Sequence, residues 1–539
     1  MFKSERFTYR ETNCFSDLIC EYIEQHPDLQ PYYGRFPDID SFGDQMEKKA
    51  AFSTEKRQLL INRLKDQYQG LSLDDEAGAA FKKSIEKLSD PQGFTVVTGH
   101  QLNLFTGPLY FVYKIISCIK LCRRLEEEYP DRHFVPLYWM ASEDHDFEEI
   151  NYINLYGGRL LWERQSGGPV GRFKTAGVAP LIDELEEHLG PGSNLEELTT
   201  IFRRAYNEDN SLAQATRILV HQLFGMYGLI CIDGDDPELK RQMIPFFSNE
   251  LRNQGNFKVV DEVTTELEAL HFKQVHPRPI NLFYILDGIR ERIEKHGSRW
   301  QVLNTDISFD ENELEEELNQ HPERFSPNVI LRPLYQEVIL PNLAYIGGGG
   351  ELAYWLQLKE MFAKNQVPFP LLVLRNSVLW IKSKHLRKME KLGLNTSSLF
   401  QPLHEIQKEF VSEGAPVEPS LSPYEQKLKK IFDELEEVAR LTDDSMLGAV
   451  NAQRAKQLNG LENLRKKLIR AEKRRRSDEM EQIERLYLQL FPKHSLQERH
   501  DNLSLYYKEY GSAFAERLLE ELDPLDFRFT VIVEKDPDS

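Results

Sequence analysis

The sequence predicts an α/β protein with a Rossmann-like core, interrupted by insertions and followed by a long helical coiled-coil region. Three observations carry that prediction. First, "FTVV", the helix-patterned stretch Pro108–Arg124 and "HFVPLYW" follow one another as strand, helix and strand, and a helix of that length spans a right-handed crossover between parallel strands. Second, apolar runs recur at "GLICIDGDD" (Gly228–Asp236), in "NVILRPLYQEVILPNLAYIGGGG" and at "FPLLVLRNSVLWI" (Phe369–Ile381), as buried strands require. Third, beyond Ile381 glycine becomes rare and charge dense. Apolar residues there fall at Leu428, Ile431, Leu435 and Val438, then at Leu458, Leu461, Leu464 and Leu468. Spacings of three and four make a helical seam, here read as an antiparallel coiled-coil hairpin.

In chain order, residues 1–90 read as helices and loops, punctuated by Pro and Tyr in "HPDLQPYYGRFPDID" and amphipathic around "EKRQLLINRLKDQY". The strand–helix–strand unit follows. "GLICIDGDD" ends a strand in an acidic loop, and "INLFYIL" with "DGIRERIEKHGSRWQVL" suggests an inserted β-rich subdomain. The two coiled-coil arms break near "LTDDSMLGA", the helical region ends around Gly511, and "DFRFTVIVE" (Asp526–Glu534) reads as a last strand rejoining the first half. The expected divisions are 1–160 (N-terminal helices and first half of the core), 161–330 (insertions with further core strands), 331–381 (second part of the core), 382–515 (coiled coil) and 516–539 (returning strand).

Composition narrows the function. A net charge of −20 over 539 residues argues against general nucleic-acid binding, which draws its affinity from many phosphate contacts. The basic run Lys466–Arg476 reads as a solvated helix face. No apolar run reaches the roughly eighteen residues of a membrane span, and "MFKSERFTYRETNCF" lacks the apolar core of a signal peptide, pointing to the cytoplasm. Five cysteines are too few for a disulfide framework in a chain this long. Cys118 and Cys122, four apart on the predicted helix, read as small buried hydrophobes.

Ligands of open parallel sheets bind beyond the C-terminal strand ends, and two unusual loops fall there. In the first, Thr98, Gly99 and His100 are expected to leave the strand, and Gly107-Pro108 to open the helix, whose N-terminus favours an anion. His100 adds a donor for a phosphate or carboxylate. The second loop packs Ser142, Glu143, Asp144, His145 and Asp146 together. Such a cluster can hold an ammonium group, ligate a divalent metal or tune a general base, and the spacing selects no metal. A third candidate is "YIGGGGELAYW" with Glu351 at a helix start, joined by Asn328 and by Arg332 as a carboxylate or phosphate clamp. It lacks the Lys and Ser/Thr of a phosphate-binding P-loop.

"VVTGHQLNLFTGPLYFVYKI", "PLYWMASEDHDFEEIN", "FSPNVILRPLYQEVILPNLAYIGGGGELAYW" and the long helical insertion together resemble the bacillithiol biosynthesis cysteine-adding enzyme family. That resemblance implies a core like that of class I aminoacyl-tRNA synthetases with connecting-peptide insertions, and a coiled coil that forms a homodimer. It implies a carbon–nitrogen ligase joining cysteine to glucosaminyl-malate, with ATP as nucleotide substrate, no metal, and no nucleic-acid or membrane partner. His100, Glu143, Asp144 and Asp146 are then expected to be catalytic. Thr98, Gly99, Gln101, Thr106, Gly107, Ser142, His145, Asn328, Arg332, Gly348, Gly349, Glu351 and Tyr354 are expected to contact substrate or nucleotide. "TGHQ" stands where a class I synthetase carries HIGH, and no KMSKS-like loop accompanies it. Two other readings of the residues stand beside the ligase: a metal-dependent hydrolase using the Glu143–Asp146 loop, and a dimeric scaffold with a vestigial pocket.

Overall fold

The computed structural model of the chain describes residues 2–155, 158–270, 275–413 and 421–535. Its central sheet is made by five parallel strands: β1 (Gly93–His100), β2 (His133–Met140), β3 (Ile230–Asp233), β4 (Asn342–Gly347) and β5 (Leu371–Leu374). Their spatial order is β3-β2-β1-β4-β5, so the chain winds outward on one side of β1 and then returns to wind outward on the other. That is the doubly wound order of dinucleotide-binding folds. Helix α1 (Tyr110–Glu128) crosses from β1 to β2 and buries Phe111, Val112, Ile115, Ile116 and Ile119. The strands are buried on both faces, which explains why they read as continuous apolar runs rather than alternating ones.

The inserted β-rich subdomain is present. Leu282–Leu286, Ile289–His296, Arg299–Val302, Ser308–Phe309 and Phe325–Pro327 form one antiparallel sheet. "FPLLVLRNSVLWI" divides between two sheets. Its first half is β5, and Val378–Ile381 pairs in parallel with Phe529–Glu534. Phe529–Glu534 also pairs antiparallel with Phe2–Phe7. The C-terminal strand therefore rejoins the first half in a separate three-stranded sheet, outside the parallel core. The opening residues, read from sequence as helix and loop, include a strand because this pairing is between chain ends and leaves no local trace.

The coiled-coil hairpin runs through helices Ser422–Thr442 and Leu447–Arg475, with its break at Asp444–Met446. Its internal seam differs from the predicted one. Phe432 and Ala439 are the buried residues of the first arm, whereas Ile431, Leu435 and Val438 remain 51%, 44% and 57% exposed. Leu428, Leu458 and Leu461 of the predicted stripe are half-buried, whereas its other residues are exposed. In the basic run on the second arm, Lys466, Lys467, Arg470, Arg474 and Arg475 are exposed, as a solvated face requires.

The C-terminal region is bound to the core by a buried ion pair. One terminal nitrogen of Arg375 donates to Glu498 Oε1 at 2.7 Å, and the backbone N–H of Val378 donates to Glu498 Oε2 at 3.1 Å; their side chains are 6% and 0% exposed. Removing one partner of such a pair strands a charge in the interior. Glu498→Ala is expected to cost about 3–5 kcal/mol of stability, read as a lowered urea midpoint. A loss below about 1 kcal/mol would show that the pair does not tie the two regions together.

Candidate active site

The strand order reverses between β1 and β4, and a cavity of about 650 Å³ opens at their C-terminal ends. β1 delivers Gly99 and His100 to its floor, and β2 delivers Trp139 and Met140 followed by the Ala141–Asp146 loop. Tyr345 comes from β4, and Glu351 and Tyr354 from the helix Gly349–Trp355. The inserted antiparallel sheet forms the opposite wall with Phe283, Arg290 and Arg292. A Cβ at Gly99 would stand 3.4 Å from the Tyr345 hydroxyl and 3.8 Å from a terminal nitrogen of Arg332, ordinary contact distances that place β1 directly beside both groups.

The acidic loop holds two adjacent carboxyls whose pKa values are shifted in opposite directions. Burial pushes the Glu143 carboxyl up from its ordinary value, and Lys240, whose ammonium lies 2.5 Å from it, only partly offsets that. Lys240 is fully buried, pairs also with Asp235 at 3.1 Å and donates to the Glu323 carbonyl at 2.9 Å. Burial acts on Asp144 in the same direction, but bonds from His145 and Gln101 and the charge of Arg290 outweigh it. Asp144 is therefore held well below the usual carboxylate range. Gln101 Nε2 donates to Asp144 Oδ2 and to Glu149 Oε2, both at 2.9 Å. Neighbouring carboxyls driven apart in this way are suited to separate roles.

On the other side, Lys114 donates to the Gly99 carbonyl at 2.8 Å and forms an ion pair with Glu351. Glu351 also accepts from the Tyr345 hydroxyl at 2.7 Å and from the Gly348 N–H at 2.8 Å. Burial raises its carboxyl, but Lys114 and these bonds prevail, leaving it lowered. His100 is pushed down to about 3 by burial, aided by the charges of Lys114 and Arg375. It is thus neutral at physiological pH, with a buried Nε2 that has no partner, so it can serve as a hydrogen-bonding group but not as a cation.

The cavity brings together Gly99, His100, Gln101, Ser142, Glu143, Asp144 and Asp146 with Asn328, Arg332, Glu351 and Tyr354. Six expected contacts lie outside its lining. Thr98 remains inside β1, which runs on through His100, and its hydroxyl donates to the Ile346 carbonyl at 2.8 Å. His145 faces outward, with Arg290 2.7 Å from its Nδ1. Gly348 and Gly349 shape the turn into the helix behind Glu351. Thr106 and Gly107 belong to a different device. Phe105, Thr106 and Gly107 take φ values of 47°, 71° and 64°, and Asn502 donates to the carbonyls of Phe105 and Gly107 at 2.8 and 2.7 Å. The Phe105 N–H donates to the Tyr206 hydroxyl at 2.9 Å. This strained turn is spent on docking the C-terminal region, and its backbone carbonyls have their partners already.

Sequence reasoning missed Lys114 and the arginines of the insertion. Lys114 sits inside an apolar helix pattern, and Arg290 reads as one charge among several on a strand; only the fold turns them inward. Arg290 lies over the Phe283 ring at 3.9 Å, 3.9 Å from Asp144, with its side chain 8% exposed and its Nε without a partner. Asp144, His145 and Asp146 bring possible ligand atoms within 4.8 Å of one another. A cation there would compete with Arg290 for His145 and with Gln101 for Asp144, so the geometry gives the hydrolase reading no support.

Comparison with known proteins now decides the family. Residues 2–376 match the family model "Bacillithiol biosynthesis BshC, N-terminal Rossmann-like domain", and residues 378–534 match "Bacillithiol biosynthesis BshC, C-terminal coiled-coil domain". The chain belongs to the bacillithiol biosynthesis BshC family. Relatives from Flavobacterium johnsoniae and Christiangramia forsetii, each named "Putative cysteine ligase BshC", are both 45% identical, over 97% of this chain and 98% of theirs. A relative of the same name from Cytophaga hutchinsonii is 37% identical over 98% of both chains. A solved candidate arginyl-tRNA synthetase from Campylobacter jejuni aligns over 84% of this chain and 98% of its own at 11% identity and a TM-score of 0.20, a likeness too low to carry an argument. The Rossmann-like assignment rests on the strand order and on the BshC family match.

The depressed His100 has a consequence for stability. An unfolded chain protonates this imidazole near 6.5, whereas the folded chain does so only at about 3. Between those values the unfolded state binds the extra proton, so stability falls as the pH drops below 6.5. Burial also lowers His221 and His385, so the difference between wild type and His100→Gln isolates this group. Urea unfolding across that range is expected to show a shallower acid decline in His100→Gln, and parallel curves would contradict the depressed imidazole.

Proposed function

We propose that this chain joins L-cysteine to the amine of glucosaminyl-malate, the last step of bacillithiol biosynthesis, with ATP-dependent activation of the cysteine carboxylate. The observation that carries this reading is the pair Glu143 and Asp144, shifted in opposite directions, sharing one cavity with Arg278, Arg290 and Arg292. The names of the relatives point the same way. Amide formation needs a neutral amine as nucleophile and a group to take its proton. Glu143, with its carboxyl pushed up, is the proton acceptor. Asp144, held ionised and joined in the lining by Asp146, carries the charge that a substrate ammonium needs. Arg278 and Arg292 join Arg290 in the lining and match the two carboxylates of a malyl group. Neutral His100 donates or accepts at the reacting end.

ATP, when bound, supplies the leaving group that a free carboxylate lacks. The unpartnered Arg332 nitrogen and His100 Nε2 fit an anionic oxygen, whereas the Thr106–Gly107 turn, occupied by Asn502, does not. Mass spectrometry of purified protein with ATP, cysteine and glucosaminyl-malate is expected to show bacillithiol. Glu143→Gln is expected to lower the rate by about 10²-fold or more with KM values little changed. No product from the wild type, or full activity in Glu143→Gln, overturns the reading.

The assembly proposed is a homodimer through the coiled coil. Its outer stripe of Ile431, Leu435 and Val438, together with Leu464 and Leu468 at 49% and 43% exposure, is an unpaired apolar seam suited to a second copy. Sedimentation is expected to find a dimer for the wild type and a monomer for Leu435→Glu/Val438→Glu, with the melting temperature of the core retained. A wild-type monomer at micromolar concentration contradicts it. The proposed setting is the cytoplasm: all five cysteines are free, as a reducing compartment keeps them. No helix among the described residues is long and apolar enough to cross a membrane.

A further inference from the structure

Behind the cavity, a buried chain of polar groups ends on Arg332. Helix α2 (Arg332–Ile339) carries Arg332, Gln336 and Glu337. Lys49, from the helix Ile39–Lys49, donates to Glu337 Oε2 at 2.7 Å and to the Glu337 carbonyl at 3.3 Å. Glu337 Oε1 accepts from Asn342 Nδ2 at 2.5 Å and from Gln336 Nε2 at 3.0 Å. Gln336 Oε1 in turn accepts from an Arg332 terminal nitrogen at 3.1 Å. Gln336, Glu337 and Lys49 are 0%, 3% and 4% exposed.

The chemistry of this chain has one polarity. An ionised carboxylate only accepts and a guanidinium only donates. An amide placed between them must turn its nitrogen to Glu337 and its oxygen to Arg332. With that amide fixed, one edge of the guanidinium is anchored, and the Trp139 and Tyr345 rings lie 5.8 and 5.6 Å from its centre. The Tyr354 hydroxyl also interacts with the guanidinium, yet the other terminal nitrogen is buried without a hydrogen bond of its own, in a residue that lines the cavity where β1 and β4 part. An arginine serving packing alone would have this donor satisfied as well.

We infer that Gln336, oriented by the Lys49–Glu337 pair, is a positioning residue that locks Arg332 as a clamp for an anionic oxygen of a bound substrate. The oxygen belongs to a substrate carboxylate or to a nucleotide phosphate. Only its source rests on the ligase reading. Gln336→Leu removes the anchor at similar volume, Gln336→Glu places a carboxylate against the guanidinium and consumes its charge, and Glu337→Gln removes the group that dictates the amide's orientation.

KM and kcat measured separately for ATP, cysteine and glucosaminyl-malate decide the matter. Gln336→Leu is expected to raise one of the three KM values about tenfold, with the other two and kcat within about twofold and the melting temperature unchanged; Glu337→Gln is expected to raise the same KM by less. The affected KM names the source of the oxygen. If Gln336→Leu does not fold, Glu337→Gln, which keeps volume and polarity, reports the same KM. Unchanged KM values, or a uniform loss in all parameters together with lowered melting, overturn the proposal. If the wild type forms no product, the ligase reading fails by itself, and calorimetric titration of L-malate and of ATP into wild type and Gln336→Glu still tests the clamp. Weaker binding of one anion to the variant supports it, and equal affinities, or no binding to the wild type, overturn it.

Discussion

Most of the chemistry described here depends on one topological constraint, the reversal of strand order beside β1. Because β2 and β4 pair with β1 from opposite sides, the connections that follow these strands diverge to opposite sides of the sheet. They leave between them a crevice that no backbone fills. The parallel ladder keeps the strand ends in fixed register, with His100 opposite Met140 and Thr98 opposite Ile346. Residues more than two hundred positions apart in sequence, such as Gly99 and Arg332, consequently meet at a few ångströms. The buried carboxylates and cations acquire their shifted protonation only because this crevice is lined and partly covered.

Around that crevice the fold brings acid and positive charge in from different elements. Acid enters with the loop after β2, and Lys240 and Asp235, beyond β3, brace it from beneath. Positive charge enters from the insertion and from α2. A net charge of −20 hides this division, since an overall balance says nothing about which side chains a cavity collects.

The periphery ties the same site to the rest of the molecule. Asn502 and Glu498, both close to the C-terminal helices, reach the turn after β1 and the start of Val378–Ile381. The N-terminal helices reach the back of α2 through Lys49, and Lys56 donates to the Val338 carbonyl at 3.1 Å. Segments without chemistry of their own thereby hold the groups that have it. The coiled-coil hairpin is the exception: among the described residues it leaves Ile431, Leu435, Val438, Leu464 and Leu468 substantially exposed.

The sequence by itself determined the local elements whose signal is continuous or periodic. Buried parallel strands, the crossover helix, the acidic strand-end loop and the hairpin break at "LTDDSMLGA" were legible because each is encoded within a few turns or a few residues. His100, Glu143, Asp144 and Asp146 were legible as candidates because strand ends in such sheets face ligands. Tertiary structure alone decided that Phe105 and Gly107 serve Asn502, that Lys114 and Arg290 face the cavity, and that Phe432 is buried in the hairpin while Leu435 stays exposed. It also decided that two adjacent acids, Glu143 and Asp144, are shifted in opposite directions. Each of those outcomes rests on a partner remote in sequence, and burial and Coulomb interactions depend on distance in space, which a linear pattern does not record.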